Sequence, residues 1–215
     1  MSSALSKYST QIQELTPLLD SKFFYDASRW DKLTNDAKNS VNAHSNQEIS
    51  RIDVINSFSQ YFKGKSDYLY PFTMTMIWGF ADTGYGTYRT NKYLSLNENR
   101  IIINDAFECI AEGKIKEAHQ YLIKINGLNI SYISKLLYFG TRARNQKDYT
   151  LIFDIRVARA LAKLLDTEGI MSLLSIGPSN KYEDFERYNT LIHHWADELK
   201  VEAENIEVFL FNGDF

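Results

Sequence analysis

Leu122 to Leu161 reads LIKINGLNISYISKLLYFGTRARNQKDYTLIFDIRVARAL, and its punctuation decides the fold. The spacing predicts a helix end, a tight turn at Gly127-Leu128-Asn129 and a second helix through Phe139. Glycine and asparagine best tolerate positive φ, so Gly127 and Asn129 permit a sharp hairpin. The helix after such a turn starts with outward-pointing N–H groups, a ready site for a phosphate. A polar loop carrying Arg142, Arg144 and Lys147 is expected next. Leu151-Ile152-Phe153 then leads into Asp154, placed as the N-cap of a third helix. A hairpin that grips a nucleic-acid backbone beside a fixed carboxylate suits bond breaking in a nucleotide.

Upstream, Tyr8, Ile12, Leu15 and Leu19 predict a helix over residues 6–19, and 34–47 reads as loop. Ser45-x-x-Glu48 has the capping-box pattern, followed by Ile49, Ile52, Ile55, Phe58 and Phe62 at helical spacing up to Gly64. Pro71 fits a first helical turn. The stretch from Ala81 to Tyr93 is rich in glycine, tyrosine and base. It reads either as a glycine-permitted loop with tyrosines filling gaps, or as a base-pocket loop in which Trp78, Tyr85, Tyr88 and Arg89 meet a flipped base. Short helices are expected over 104–112 and 114–125, with Gly113 as the stop. After Asp154, Val157, Leu161, Leu164 and Leu165 form a core stripe with Arg156 and Arg159 off it. Gly177-Pro178 is a break, and helices are expected over 181–200 and 201–211. No strand series or internal repeat emerges, so the fold reads as all-helical.

G-h-N-x-x-x-h-x-K-L-L-Y-F followed by L-I-F-D-x-R-V-A-R-A-L resembles the helix-hairpin-helix DNA glycosylase superfamily, and within it the 8-oxoguanine glycosylase branch. Trp78-Gly79-Phe80 and Gly84-Tyr-Gly-x-x-Arg89-Thr90 are similar to the N-terminal part of bacterial proteins of that fold. The resemblance covers the last half of the chain and Trp78–Thr90; residues before Ser66 match no family on reading. It implies a two-lobed all-α architecture with a cleft between lobes, one glycosylase domain over 1–215. One lobe would comprise about 1–103 with the C-terminal helices, and the hairpin lobe about 104–170. Asp154 matches the family's catalytic aspartate. In the commonest register the nucleophilic lysine lies two residues past the second hairpin glycine, where this chain has Ser131. Lys135 stands one turn later on the same face, 19 residues before Asp154. If Lys135 is the nucleophile, a Schiff base and strand cleavage follow; if Ser131 holds the position, water attacks under Asp154. The resemblance implies a DNA partner with a modified base. Gly127, Asn129, Ser131, Arg142, Arg144 and Arg156 would lie along the DNA, with no cofactor beyond a monovalent cation at the hairpin. The removed base could be 8-oxoguanine or another modification, serving repair or defence against foreign DNA.

Plain readings stand beside each of these. Asp154 could be only an N-cap, Lys135 a surface lysine over apolar neighbours, and Arg142, Arg144 and Lys147 a solvated run. A DNA-binding module without chemistry is the rival function, and the net charge of −3 keeps it open, since DNA contact then needs a local basic face. One cysteine, Cys109, excludes an internal disulfide and a four-cysteine iron–sulfur cluster and suits a reducing cytoplasm. Adjacent His193 and His194 diverge by about 100° on a helix, so zinc is not expected. No apolar run is long enough to span a bilayer, and no signal peptide is recognised; a monomer away from membranes is expected.

Overall fold

The computed structural model describes residues 5–81, 83–164 and 180–213. Those residues are predominantly helical, and the expected all-α class holds. Helices α1 (Ser9–Gln13), α2 (Pro17–Asp20), α3 (Asn35–Ser40), α4 (Arg51–Phe62), α5 (Leu69–Phe80), α6 (Gly86–Leu94), α7 (Asn97–Glu112) and α8 (Ile115–Leu122) lead to the hairpin. Beyond it come α9 (Ile130–Ala143), α10 (Ile155–Leu164), α11 (Tyr182–Leu199) and α12 (Ala203–Asn212). Leu165 and Gly177-Pro178 lie outside the described residues.

The core is built around α9, which buries Ile130 and every residue from Ile133 to Thr141. A helix apolar on most of its surface must be covered on all sides. Here α4, α5, α7 and α8 provide that cover. Gly140 lets α7 approach: a Cβ there would sit 2.7 Å from Ile110 Cγ2. The C-terminal helix α12 packs on α10, α11, α1 and α2, so the two ends of the described chain meet.

Several local expectations are corrected. The stretch over 6–19 is not one helix, because Pro17 cannot continue one and instead opens α2. Within 34–47 a helix, α3, and a 3-10 turn replace the loop. Residues Gln47–Ile49 form strand β2, antiparallel to β1 (Phe23–Tyr25) with Phe23 opposite Ile49. Ser45 and Glu48 therefore do not cap α4; Ser50 and Asp53 do, each bonding the other's backbone N–H. Cross-strand pairing is non-local, so helical spacing alone could not reveal it. Gly86 starts α6 rather than loosening a loop, since a Cβ there would meet Trp30 at 2.3 Å. Helix α9 runs four residues beyond Phe139, placing Arg142 in its last turn. Gly113 ends α7 with φ of 81°, as expected.

Candidate active site

The hairpin turns on a single left-handed residue, Gly127 at φ 87°. Leu128 N–H donates to the Ile125 carbonyl across the turn. Asn129 is extended, at φ −96° and ψ 173°, because a residue entering a helix comes from the β region. The first N–H of α9, at Ile130, donates to Asn180 Oδ1 at 2.9 Å.

Between α9 and α10 the chain runs extended and buried, and side chains satisfy its backbone groups. Thr150 N–H donates to Thr141 Oγ1, Leu151 N–H to Asn189 Oδ1 and Phe153 N–H to Ser134 Oγ, while Tyr188 Oη donates to the Ile152 carbonyl. This pinning delivers Asp154 to one place. There Oδ1 accepts from the Arg156 N–H at 3.0 Å and Oδ2 accepts from Ser131 Oγ at 2.7 Å. Asp154 is thus an N-cap with one oxygen and a site residue with the other.

Lys135 Nζ stands 3.6 Å from that same Oδ2 and donates to Ser131 Oγ and the Ser131 carbonyl, both at 3.1 Å. Ser131 therefore sits between the two charged groups. Lys135 is 6% exposed, so the plain reading of a surface lysine does not describe it. Burial pushes its ammonium below the ordinary lysine range, against the opposing pull of Asp154 and Glu207. Burial works against the charge on Asp154 too, but Lys135, the Arg156 amide and the Ser131 hydroxyl together hold its carboxyl below the usual value.

Both residues line a cavity of about 410 Å³. Its walls come from distant parts of the chain: residues Leu15–Pro17 and Asp20–Phe23, Arg51 of α4, Trp78 and Gly79 of α5, and Glu207, Val208 and Phe211 of α12. Gly79 is where α5 touches the lysine; a Cβ there would meet Lys135 Cδ at 3.0 Å and Tyr132 at 3.2 Å. A volume of this order suits a ligand the size of a nucleobase with part of its sugar.

A family model described as "Putative 8-oxoguanine DNA glycosylase OGG-like protein" matches residues 16–211. The chain belongs to this family. The match reaches back to residue 16, well before the Trp78–Thr90 motif, and takes in Thr16, Pro17 and Asp20–Phe23 of the cavity wall. No curated protein and no solved structure matches the chain.

In this OGG-like chain the other site residues fall into three places. Trp78 lines the cavity, half-buried, with its indole N–H on the Ser21 carbonyl at 3.0 Å. Tyr85 and Arg89 do not join it. With Gly127, Asn129 and Tyr132 they line a second cavity of about 360 Å³ beside the hairpin. Tyr88 is exposed and lines neither cavity. The base-pocket grouping is therefore split. The α5 helix ends at Phe80, whose ring stacks on Tyr132 at 4.4 Å and belongs to the second cavity.

Arg142 and Arg144 are engaged inside the protein: Arg142 on Glu204 at 2.9 Å and over the Tyr149 ring, Arg144 on the Ile110 carbonyl near the end of α7. Arg142 and Arg144 thus already have partners within the protein, while Lys147, the third residue of the run, is exposed. Arg156 is exposed, its guanidinium 4.3 Å from the Phe211 ring, whose residue lines the first cavity. The hairpin's basic company comes instead from α6, with Arg89 Nη1 and Lys92 Nζ 3.4 and 3.8 Å from where a Gly127 Cβ would be. Arg51, Glu207 and Lys92 are site residues that no motif of the sequence marks, and Gly79 is marked only as part of Trp78-Gly79-Phe80. Glu207, inside the apolar run I-E-V-F-L-F, was the one with a visible signal.

His193 Nε2–H donates to the Tyr149 carbonyl at 2.7 Å, as a hydrogen-bonding histidine should. Of the hairpin carbonyls, Ile125 accepts from Leu128 N–H and Gly127 from Tyr93 Oη at 2.9 Å. Among the described residues no helix is long and apolar enough to cross a membrane.

Proposed function

We propose that the chain is a DNA N-glycosylase that takes an extruded modified base into the 410 Å³ cavity and uses Lys135 and Asp154 on its sugar. The observation that carries this reading is the Lys135–Asp154 pair, 3.6 Å apart in the cavity wall with a shared serine. A lysine becomes a nucleophile when burial keeps part of it unprotonated, and a carboxylate beside it stabilises the positive charge that develops on C1′. The Lys135 amine forms a bond to C1′ as the C1′–N bond to the base breaks. The base departs with that electron pair and takes up a proton. Opening of the sugar ring then gives a Schiff base, from which loss of a C2′ proton expels the 3′ phosphate. Lys135 is preferred to water, the attacking group expected if Ser131 held the lysine's place, because its Nζ already lies 3.6 Å from Asp154 in the cavity wall. The hairpin, with Arg89 and Lys92 beside it, supplies the local basic face that a chain of net charge −3 needs for DNA.

The decisive comparison uses wild-type protein and Asp154→Asn on duplexes each carrying one modified base. Wild type is expected to release base from at least one duplex and the variant at a rate about 100- to 1,000-fold lower, with both binding DNA equally. Equal inactivity of both across the panel would leave a DNA-binding module.

A further inference from the structure

The cavity wall contains a second charged pair that the reaction above does not use. Arg51 Nη1 and Nη2 donate to Glu207 Oε2 and Oε1 at 2.7 and 3.4 Å, and the two side chains are 4% and 1% exposed. Arg51 begins α4 and Glu207 lies in the middle of α12, so only the tertiary fold joins them. The guanidinium is held with the Trp78 and Tyr138 ring centroids at 5.4 and 5.0 Å. Its Nε–H is buried with no partner. Two features need a reason. A buried ion pair seldom beats apolar packing for stability, and an orphaned buried donor costs free energy unless something else meets it.

We infer that Arg51 and Glu207 read the hydrogen-bonding edge of the base held in this cavity, selecting bases with a C(=O)–N–H edge; this rests on the glycosylase reading. Arg51 has only donors and an ionised Glu207 only acceptors. A carbonyl oxygen facing the guanidinium and an adjacent ring N–H facing the carboxylate satisfies both at once. An amino base offers a ring nitrogen in place of the oxygen, a weaker partner for a cation. Trp78, packed against the guanidinium and lining the same cavity, supplies a ring face for the base to lie on. The pair also lies within electrostatic reach of Lys135, which places the reader beside the chemistry.

The test uses the full chain with Glu207→Gln, Arg51→Lys and the double variant Arg51→Met/Glu207→Leu, which keeps the wall filled without charge. Duplexes carry one 8-oxoguanine, hypoxanthine or uracil, each with the lactam edge, or one N6-methyladenine or ethenoadenine, which lack it. Wild type is expected to release lactam bases in preference. The variants should lose that preference by roughly 10- to 100-fold, the worth of hydrogen bonds to charged groups. They should keep wild-type affinity for a duplex holding a tetrahydrofuran abasic analogue, which has no base to read. Unchanged preference, or loss of abasic-duplex affinity in parallel with excision, overturns the assignment. If wild type releases no base, the glycosylase reading fails, and quenching of tryptophan fluorescence by free hypoxanthine decides the rest. Quenching in wild type but not in Glu207→Gln retains the reader, and its absence in both removes it.

Discussion

Arg51 meets Glu207 with a two-pronged contact at 2.7 and 3.4 Å, whereas Lys135 stands 3.6 Å from Asp154 with a serine hydroxyl bonded to each. Both pairs line one cavity and both are largely buried. Arginine keeps its charge under burial and its planar fork matches a carboxylate, so the first pair is fixed in geometry, although burial pushes the Glu207 carboxyl above its ordinary value against the pull of Arg51. Lysine yields its proton when desolvated, so the looser second pair keeps a reactive amine available. One pair is suited to recognition and the other to reaction.

The sharpest way to break this contrast is to remove the amine. Borohydride trapping on a duplex with an abasic site should give a covalent adduct with wild type and with Arg51→Lys, and none with Lys135→Ala; denaturing gels read the result. The next effect is on stability. Arg51→Met leaves Glu207 buried without its partner and should cost about 3–5 kcal/mol in urea unfolding. The Arg51→Met/Glu207→Leu double variant should recover most of that. Lys135→Met should cost far less, because Asp154 keeps its bonds to Ser131 and the Arg156 amide. Equal losses for Arg51→Met and Lys135→Met would erase the distinction between the pairs.

The pH dependence sharpens it further. Because the folded state lowers the Lys135 pKa, the unfolded chain holds that proton more tightly. This group therefore opposes folding at neutral pH, and the penalty fades as pH rises toward 10.5, the ordinary lysine value. The neutral amine accumulates through the lowered pKa, so the trapping rate should rise with pH and level off before 10.5. Asp154 stays ionised across that range, since its pKa lies below 3.8. Asp154→Asn removes a charge that raises the lysine pKa and should move the rising limb to lower pH. The smallest effect is expected from Gly79→Ala, whose new methyl presses on Lys135 Cδ and Tyr132. A several-fold drop in trapping, with about 1–3 kcal/mol lost in unfolding, is the expected cost of overpacking.

What was legible followed local rules. Asp154 opening a helix, Gly113 closing one and the apolar surface of α9 are consequences of capping and 3.6-residue spacing within a few positions of the chain. Lys135 was legible as a face-mate of Ser131, though not as a buried group, because burial depends on Gly79 of another helix coming close. The tyrosines of the Ala81–Tyr93 stretch were grouped with Trp78 by proximity in sequence. The turn after Phe80 separates them, sending Trp78 to one cavity and Tyr85 and Arg89 to another. Arg142 and Arg144 looked like a phosphate-binding run because composition does not reveal that Glu204 and the end of α7 already hold them.

By itself the sequence determined the longer helices of the second half, the hairpin glycine and the carboxylate that caps α10, since each depends on backbone sterics and hydrogen bonding between near neighbours. Only the tertiary structure decided which charges face one another. Arg51 and Glu207 are 156 residues apart and Lys135 and Asp154 face across an extended connection. Such meetings are set by the packing of α4, α5, α9 and α12 against each other, and a side chain's burial and partners follow from that packing.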